Sequence, residues 1–525
     1  MISNITVIRQ SASRTVIKSS GEADEGSSRR LLVGSHYAPL LWLLLIGLIL
    51  GFAFQGTRAL WSPDEGRYVG GALQMLDSGN YLAPAYSPNE LNFSKPPLTY
   101  WVIAAAMDVF GRNTWAARAP YAVAFALTIG LLYVIGKQLV PQKPWLPGLI
   151  YSCSVFPFLT ANIISTDVLL TLFEALAVLG FIRSSVLENG HKQRPGMTLM
   201  WLGFGLAFLT KGPPGLLPLL AILAYIVICD GWKGVRRVFT PLGIVAFLIS
   251  GFAWYVAVVI RYPWVLHYFL HDEVYGRIFT SLHRRHAGAF GWATVYLPVL
   301  IFGSLPWWSG VIQALRSSVS LENWRVWRRQ GAVEIFLLLW FLIPLVVFCL
   351  SKSRLPLYVL PLFLPLTLLV AGQLRQKVDL FVTRQRVMLC LWLVTLITAK
   401  GAAAYAMHSP EDNQQSSREM AAIASPATYN SVIVIENTRA TYDIEEQTPW
   451  GLRLYLNKPV YGVAWGTSDG RVSLCTAIQA QRSALLIINP EIGVEAVQAI
   501  LTSCHVYKAD QLGTWRHNVL MRIQV

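Results

Sequence analysis

The sequence predicts a mainly α, polytopic membrane protein that carries a small soluble α/β domain at its C-terminal end. Three observations carry this reading. Of 525 residues, 54% are hydrophobic and only 14% are charged, whereas soluble proteins carry about 25% charge. The apolar residues gather into about eleven runs, most of them near the ~20 residues that a helix needs to cross a bilayer. After residue 405 the pattern changes to short strand-like runs. The mean hydropathy of +0.47 argues against an ordinary cytosolic enzyme and, for most of the chain, against disorder.

Residues 1–36 are polar, with Arg9, Arg14, Lys18, Arg29 and Arg30. They lack an early apolar core and a cleavage motif, so a cytoplasmic tail is expected in place of a signal peptide. The first apolar run covers 37–56. Further expected spans centre on 115–136, 144–160, 165–186, 197–212, 214–229, 239–260, 292–314, 331–350, 356–373 and 386–405. That gives about 11–13 transmembrane helices, the margin arising near Pro and Gly. The body thus runs over 37–405. Within it, 57–114 reads as an outer-face segment, because the apolar stretch 101–111 is too short to span and suits a helix lying at the interface. In the tail, 406–525, the runs 431–437 and 483–490 read as strands and 493–501 as a short helix.

The excess of 43 basic over 28 acidic residues gives a net charge of +15. In a soluble protein this would suggest nucleic acid. Here the cations fall mostly in short loops and speak about orientation. With residue 30 inside, the inside loops carry Lys137 and Lys143; Arg183, Lys192 and Arg194; Lys233, Arg236 and Arg237; Arg316, Arg325, Arg328 and Arg329; and Arg375, Lys377, Arg384 and Arg386. Each is basic, as the positive-inside rule asks. The tail then lies outside. Six cysteines show no metal-type spacing. Cys475 and Cys504 are expected either to pair, if the tail faces an oxidising compartment, or to be two buried thiols.

Five polar groups stand out. Asp64, Glu65 and Arg67 begin the outer segment; Asp64 and Arg67 can pair at i, i+3, and a simple helix start accounts for the same residues. Lys95 precedes two prolines and suits either a phosphate or a snorkelling role. Asp167 opens an apolar helix, as a near-membrane acid or a cap. Glu174 follows it about 10 Å deeper. His267, His271, Asp272, Glu273 and Arg277 form a mixed polar segment. Two histidines at i, i+4 allow zinc, but no third ligand is fixed by spacing, so a solvated loop face is the default. Lys352, Arg354 and Tyr358 lie between two spans, in an outer loop that is basic against the trend, and suit a lipid phosphate.

The order of DEGRY (64–68), SKPPLTYW (94–101), TDVLL (166–170), TKGPPGLL (210–217) and SKSRLPLYVLP (351–361) resembles the bacterial branch of the protein-mannosyltransferase and aminoarabinose-transferase superfamily. These are membrane glycosyltransferases of the GT-C class. The resemblance covers roughly residues 38–405. It implies a polyprenyl-phosphate sugar donor, a bacterial inner-membrane location, and transfer at the periplasmic face to lipid A or another envelope acceptor. It implies that Asp64 and Asp167 are the catalytic acids and that Lys95, Arg277 and Tyr358 hold the donor phosphate. Glu65, Arg67, Lys352 and Arg354 are further candidate substrate contacts. Ser94 stands where the family commonly has Glu, a position that helps bind a structural zinc in some members. No metal site is therefore carried over, and no cofactor is required by the sequence.

The chemistry is compatible with that reading. A polyprenyl phosphate leaves as an anion, which cations and a phenol can stabilise. Asp64 suits a general base, and direct attack inverts the sugar carbon. No P-loop and no GxGxxG motif in a strand-to-helix context is present. Two rivals remain at this level: a flippase or transporter for lipid-linked sugars, although no internal repeat is evident, and a protein O-mannosyltransferase.

Overall fold

The computed structural model describes residues 25–525 apart from 62–63, 89, 187–192, 272–285, 287, 289, 331, 407–416, 439–446, 468 and 516. Every expected apolar run is helical. The first helix, α1 (Glu25–Phe52), already starts within the stretch read as a polar tail. Among the described residues, six helices are long and apolar enough to cross a membrane by themselves. They are Thr114–Leu139 (α4), Pro213–Asp230, Pro241–Arg261, Val333–Leu350, Pro356–Leu374 and Thr383–Ala406. The run expected as one span at 292–314 is instead a pair, Gly291–Gly303 and Trp308–Val319, bent by 117°. Pro306 lies in the break, where its missing N–H cannot continue the helix. The pair still runs from one end of the bundle to the other. Gly291 sits against Arg354, whereas Gly310 sits against Val370 and Leu374.

Two helices give the body its tightest seam. After the short helices α5 (Leu146–Cys153) and α6 (Val155–Thr160), helices α7 (Thr166–Val186) and α8 (Gln193–Lys211) form an antiparallel hairpin. A Cβ added to Gly180 would lie 2.3 Å from the Met200 nitrogen, and one on Gly203 would lie 2.5 Å from the Ala177 nitrogen. Small residues permit this approach, which supplies the dispersion contact that helices in lipid depend on. On its other side α8 crosses the span Pro241–Arg261 at Gly205 and Gly251. There the partner helix relaxes into a π turn, Leu248–Phe252.

The segment 57–114 holds α2 (Asp64–Ser78), a small hairpin of β1 (Ala85–Ser87) and β2 (Glu90–Leu91), and α3 (Leu98–Phe110). Val69, Ala72 and Met75 of α2 pack on Tyr100, Ile103 and Met107 of α3 and on Ala117 and Tyr121 of α4. This ties the segment to the bundle end at which α7 begins.

The tail is the expected α/β domain. Its five-stranded sheet has the order β4 (Val460–Ala464), β3 (Ser431–Glu436), β5 (Ser483–Ile488), β7 (Asn518–Gln524), β6 (Lys508–Trp515). Strands β3, β4 and β5 are parallel, and β7 runs antiparallel to β5 and β6. Both faces of β3 are covered, which explains its unbroken apolar run. Ile433 and Ile435 meet the helices Gly470–Gln479 and Val494–Ser503. Val432 and Val434 face Met420, Trp450 and Tyr86. Cys475 and Cys504 form a disulfide, which resolves the two alternatives left by the sequence.

The tail docks on α2 and β1. The Trp450 ring stacks on Tyr86 at 4.7 Å. Tyr455 Oη accepts a hydrogen bond from the Leu60 N–H at 2.9 Å. Gly66 and Gly451 approach so closely that a Cβ on Gly66 would lie 2.6 Å from the Gly451 nitrogen.

Candidate active site

The α7–α8 hairpin places the start of one helix beside the end of the other. Asp167, in the first turn of α7, and Lys211, the last residue of α8, meet there as an ion pair. Their side chains are only 6% and 12% exposed. Lys211 Nζ also lies 4.3 Å from the centroid of the Tyr358 ring. Tyr358 comes from a 3-10 turn, Pro356–Leu362, whose first residue is a proline and needs no N–H partner. An ammonium between a carboxylate and an aromatic face is stabilised by both. Glu174 is buried two turns along α7, at 3% exposure.

Asp64 opens α2, is 67% exposed, and accepts from Arg67 Nη2 at 3.0 Å, the expected i, i+3 pair. Arg67 is mostly buried, and its Nε finds no acceptor among the described residues. Tyr68 links the two aspartates electrostatically. Burial pushes its phenol above the ordinary range; Asp167 and Asp64 add to this, while Arg67 and Lys211 oppose it.

Glu65, expected as a further substrate contact, parts from its exposed neighbour. Its side chain is 0% exposed. Arg58 donates to both of its oxygens at 2.8 and 2.7 Å. Arg118 Nη2 donates at 2.7 Å, as do the backbone N–H groups of Trp61 at 3.0 Å and Ile164 at 3.1 Å. Burial alone would raise its pKa; Arg118 and Arg58 more than reverse this and hold the carboxyl far below the usual range. With its lone pairs saturated and no opening to solvent, it ties α2 to α4 and to the turn before α7.

Arg354, expected among the further substrate contacts, is also buried. It is 6% exposed, and its guanidinium donates to the backbone carbonyls of His286 and Gly288 at 2.8 and 2.9 Å and of Cys349 at 2.9 Å. It is a loop clamp. Lys352, by contrast, is exposed. Lys95 is half-buried, and its Nζ donates to the Ser94 carbonyl at 3.1 Å. Asn92 shapes its turn by accepting from the Ser94 N–H at 2.9 Å. Arg277 lies outside the described residues, as do Asp272 and Glu273. His267 and His271 stack with ring centroids 5.0 Å apart. Among the described residues no group of three or more His, Cys, Asp or Glu could hold a metal.

Two structural features escape a residue-by-residue reading of the sequence. Lys211 stands in the TKGPP motif, yet only the folded hairpin gives it Asp167 as a partner. Arg118 lies within an apolar run, and a lone arginine there signals a buried acidic partner.

Fold and site together define a polytopic helical membrane protein whose polar groups converge at one end of the bundle, beside a docked α/β domain. Residues 94–256 match the family described as dolichyl-phosphate-mannose-protein mannosyltransferase. The chain is 30% identical over 322 residues to the undecaprenyl phosphate-alpha-4-amino-4-deoxy-L-arabinose arabinosyl transferase of Edwardsiella ictaluri, covering 61% of this chain and 56% of that one. It is 32% identical over 351 residues to the undecaprenyl phosphate-alpha-4-amino-4-deoxy-L-arabinose arabinosyl transferase 2 of a Pseudomonas fluorescens strain, covering 64% and 56%. Thus the chain spans less than two thirds of the length of these relatives. Its fold matches the crystal structure of ArnT from Cupriavidus metallidurans bound to undecaprenyl phosphate, with a TM-score of 0.72 at 19% identity, over 93% of this chain and 98% of that one. The apo form of that protein matches with a TM-score of 0.69.

Proposed function

We propose that this protein is an integral inner-membrane glycosyltransferase that moves a sugar from a polyprenyl-phosphate donor to lipid A or another envelope acceptor on the periplasmic face. The observation that carries the reading is the buried Asp167–Lys211 pair under Tyr358, at the bundle end that also bears Asp64. The names of the relatives, which use undecaprenyl phosphate-linked aminoarabinose, support the donor class.

In this reading Lys95, Arg277 and Tyr358 face the donor phosphate. Lys211 offsets the charge of Asp167 in a low-dielectric setting. The acceptor oxygen attacks the sugar carbon, the bond to the phosphate oxygen breaks, and the phosphate departs with the electron pair. Asp64 takes the proton of an acceptor hydroxyl, and its exposure leaves it open to an incoming acceptor. The sugar carbon is inverted in one step. A periplasmic tail agrees with the Cys475–Cys504 disulfide and with the basic loops at the opposite bundle end.

The test is transfer in detergent, with purified protein, lipid-linked sugar and an extract of envelope acceptors. Wild type should form product, and Asp64→Asn should form it about two to four orders of magnitude more slowly. Absence of product together with sugar-lipid translocation in sealed vesicles would replace this reading with a flippase.

A further inference from the structure

A cavity of about 60 Å³ lies at the seam between the tail and the body, away from the Asp167–Lys211 pair. Leu73 and Asp77 of α2 line it, with Arg112 from the turn between α3 and α4, and Arg453, Asn457 and Lys458 from the tail. It exists only when the two parts are docked.

Its charges do not balance. Asp77 is shared: Arg112 Nη2 donates to Oδ1 at 2.5 Å, and Arg453 Nη2 donates to Oδ2 at 2.8 Å. Arg453 spends its Nη1 on the Tyr86 carbonyl at 3.2 Å. Lys458 makes no ion pair among the described residues, and Arg112 pairs there with Asp77 alone. Three cations therefore surround one carboxylate, which leaves a formal charge of about +2. Asp77 is held below its usual pKa by these arginines, against the effect of burial, so it stays an anion at neutral pH and the count stands. The Arg453 side chain is 7% exposed and fixed at both ends, so one side of the cavity is rigid. Arg112 is 41% exposed and can turn its remaining N–H groups inward.

We propose that this seam binds a phosphomonoester dianion, with Arg112 and Lys458 as its principal donors and Arg453 as the fixed wall. A dianion cancels the surplus charge. A guanidinium matches two phosphate oxygens at once, and an ammonium serves as a point charge. A neutral sugar would leave the surplus charge uncompensated, and a carboxylate would cancel only half of it. The same chemistry is offered by a lipid headgroup that bears a phosphomonoester and by free phosphate. Neither source depends on glycosyl transfer being the protein's activity.

The experiment uses the full chain, wild type and an Arg112→Gln/Lys458→Gln double variant. Thermal unfolding first establishes that the variant is folded. Inorganic phosphate is titrated calorimetrically in detergent at low salt, and phosphatidic acid retention is followed by native mass spectrometry from phosphatidylcholine nanodiscs with and without that lipid. At least one probe should bind the wild type, and the double variant should bind it at least tenfold more weakly, since hydrogen bonds between charged partners are among the strong ones. Higher salt should weaken wild-type binding. Phosphate binding without phosphatidic acid retention assigns the site to a soluble anion, and the reverse assigns it to a headgroup. Equal binding of both probes by wild type and variant, or binding of neither by wild type, overturns the proposal.

Discussion

Asp167 and Lys211 are 44 residues apart in sequence and form a buried ion pair, because the hairpin of α7 and α8 returns the chain to its starting level. Either charge alone would face a low-dielectric site without compensation.

That asymmetry gives a first expected result. Asp167→Asn or Lys211→Gln should each destabilise the protein by about 3–5 kcal/mol. The double variant should recover much of that loss and still fail in transfer. Thermal unfolding in detergent beside the transfer assay checks this. A double variant that loses the sum of the two single losses would show that the pair carries no coupling.

Glu65→Gln should lower stability by several kcal/mol, since it leaves Arg58 and Arg118 facing one another across a neutral group. The pH dependence has a defined sign. The folded-state pKa of Glu65 is depressed. Its contribution is therefore present above the ordinary glutamate range near 4.3 and is lost as pH falls below it. Unfolding midpoints at pH 7 and pH 4 should converge between wild type and variant toward the acid side.

Glu90 behaves in the opposite way. Burial pushes its carboxyl up to about 7, partly offset by the Ser87 hydroxyl at 3.4 Å. An acid with a raised pKa costs stability as pH rises from its unfolded value through the folded one. Glu90→Gln should therefore be more stable than wild type at pH 8, by up to about 3 kcal/mol, and match it near pH 4. Melting curves at the two pH values decide this, and a constant difference would rule out the titration.

Gly66→Ala should disturb the docked tail, because the new methyl would meet the Gly451 backbone. Overpacking of this kind costs about 1–3 kcal/mol. Limited proteolysis should release the tail faster than from wild type. An unchanged cleavage rate would mean that α2 and the tail shift apart without loss.

Much of this architecture is legible from hydropathy and turn chemistry. The apolar runs that begin at Thr114, Val333 and Thr383 became helices because nothing but helical pairing satisfies a backbone in lipid. The α/β tail is marked by the strand at 431–436. Pairing across long sequence distances is less legible. DEGRY presents two adjacent carboxylates, and composition cannot say that one faces solvent while its neighbour is saturated by Arg58 and Arg118. A helix turns successive residues by 100°, so their fates depend on what α4 and the turn before α7 bring to each side. For the same reason Arg354 reads as a phosphate ligand in sequence, yet closes a loop through carbonyls. The bend at Pro306 is hidden because both of its arms are apolar.

The glycine seam between α7 and α8 has a consequence for how the chain tolerates change. Gly203 lies eight residues before Lys211, about 12 Å along the helix. A methyl there would act as a wedge between two rods and splay their tips by leverage. Substitutions deep in the bundle, far from any charged group, would then register as a mis-set gap at the Asp167 end. The permissible drift of the polar end is in this sense written into the small residues below it.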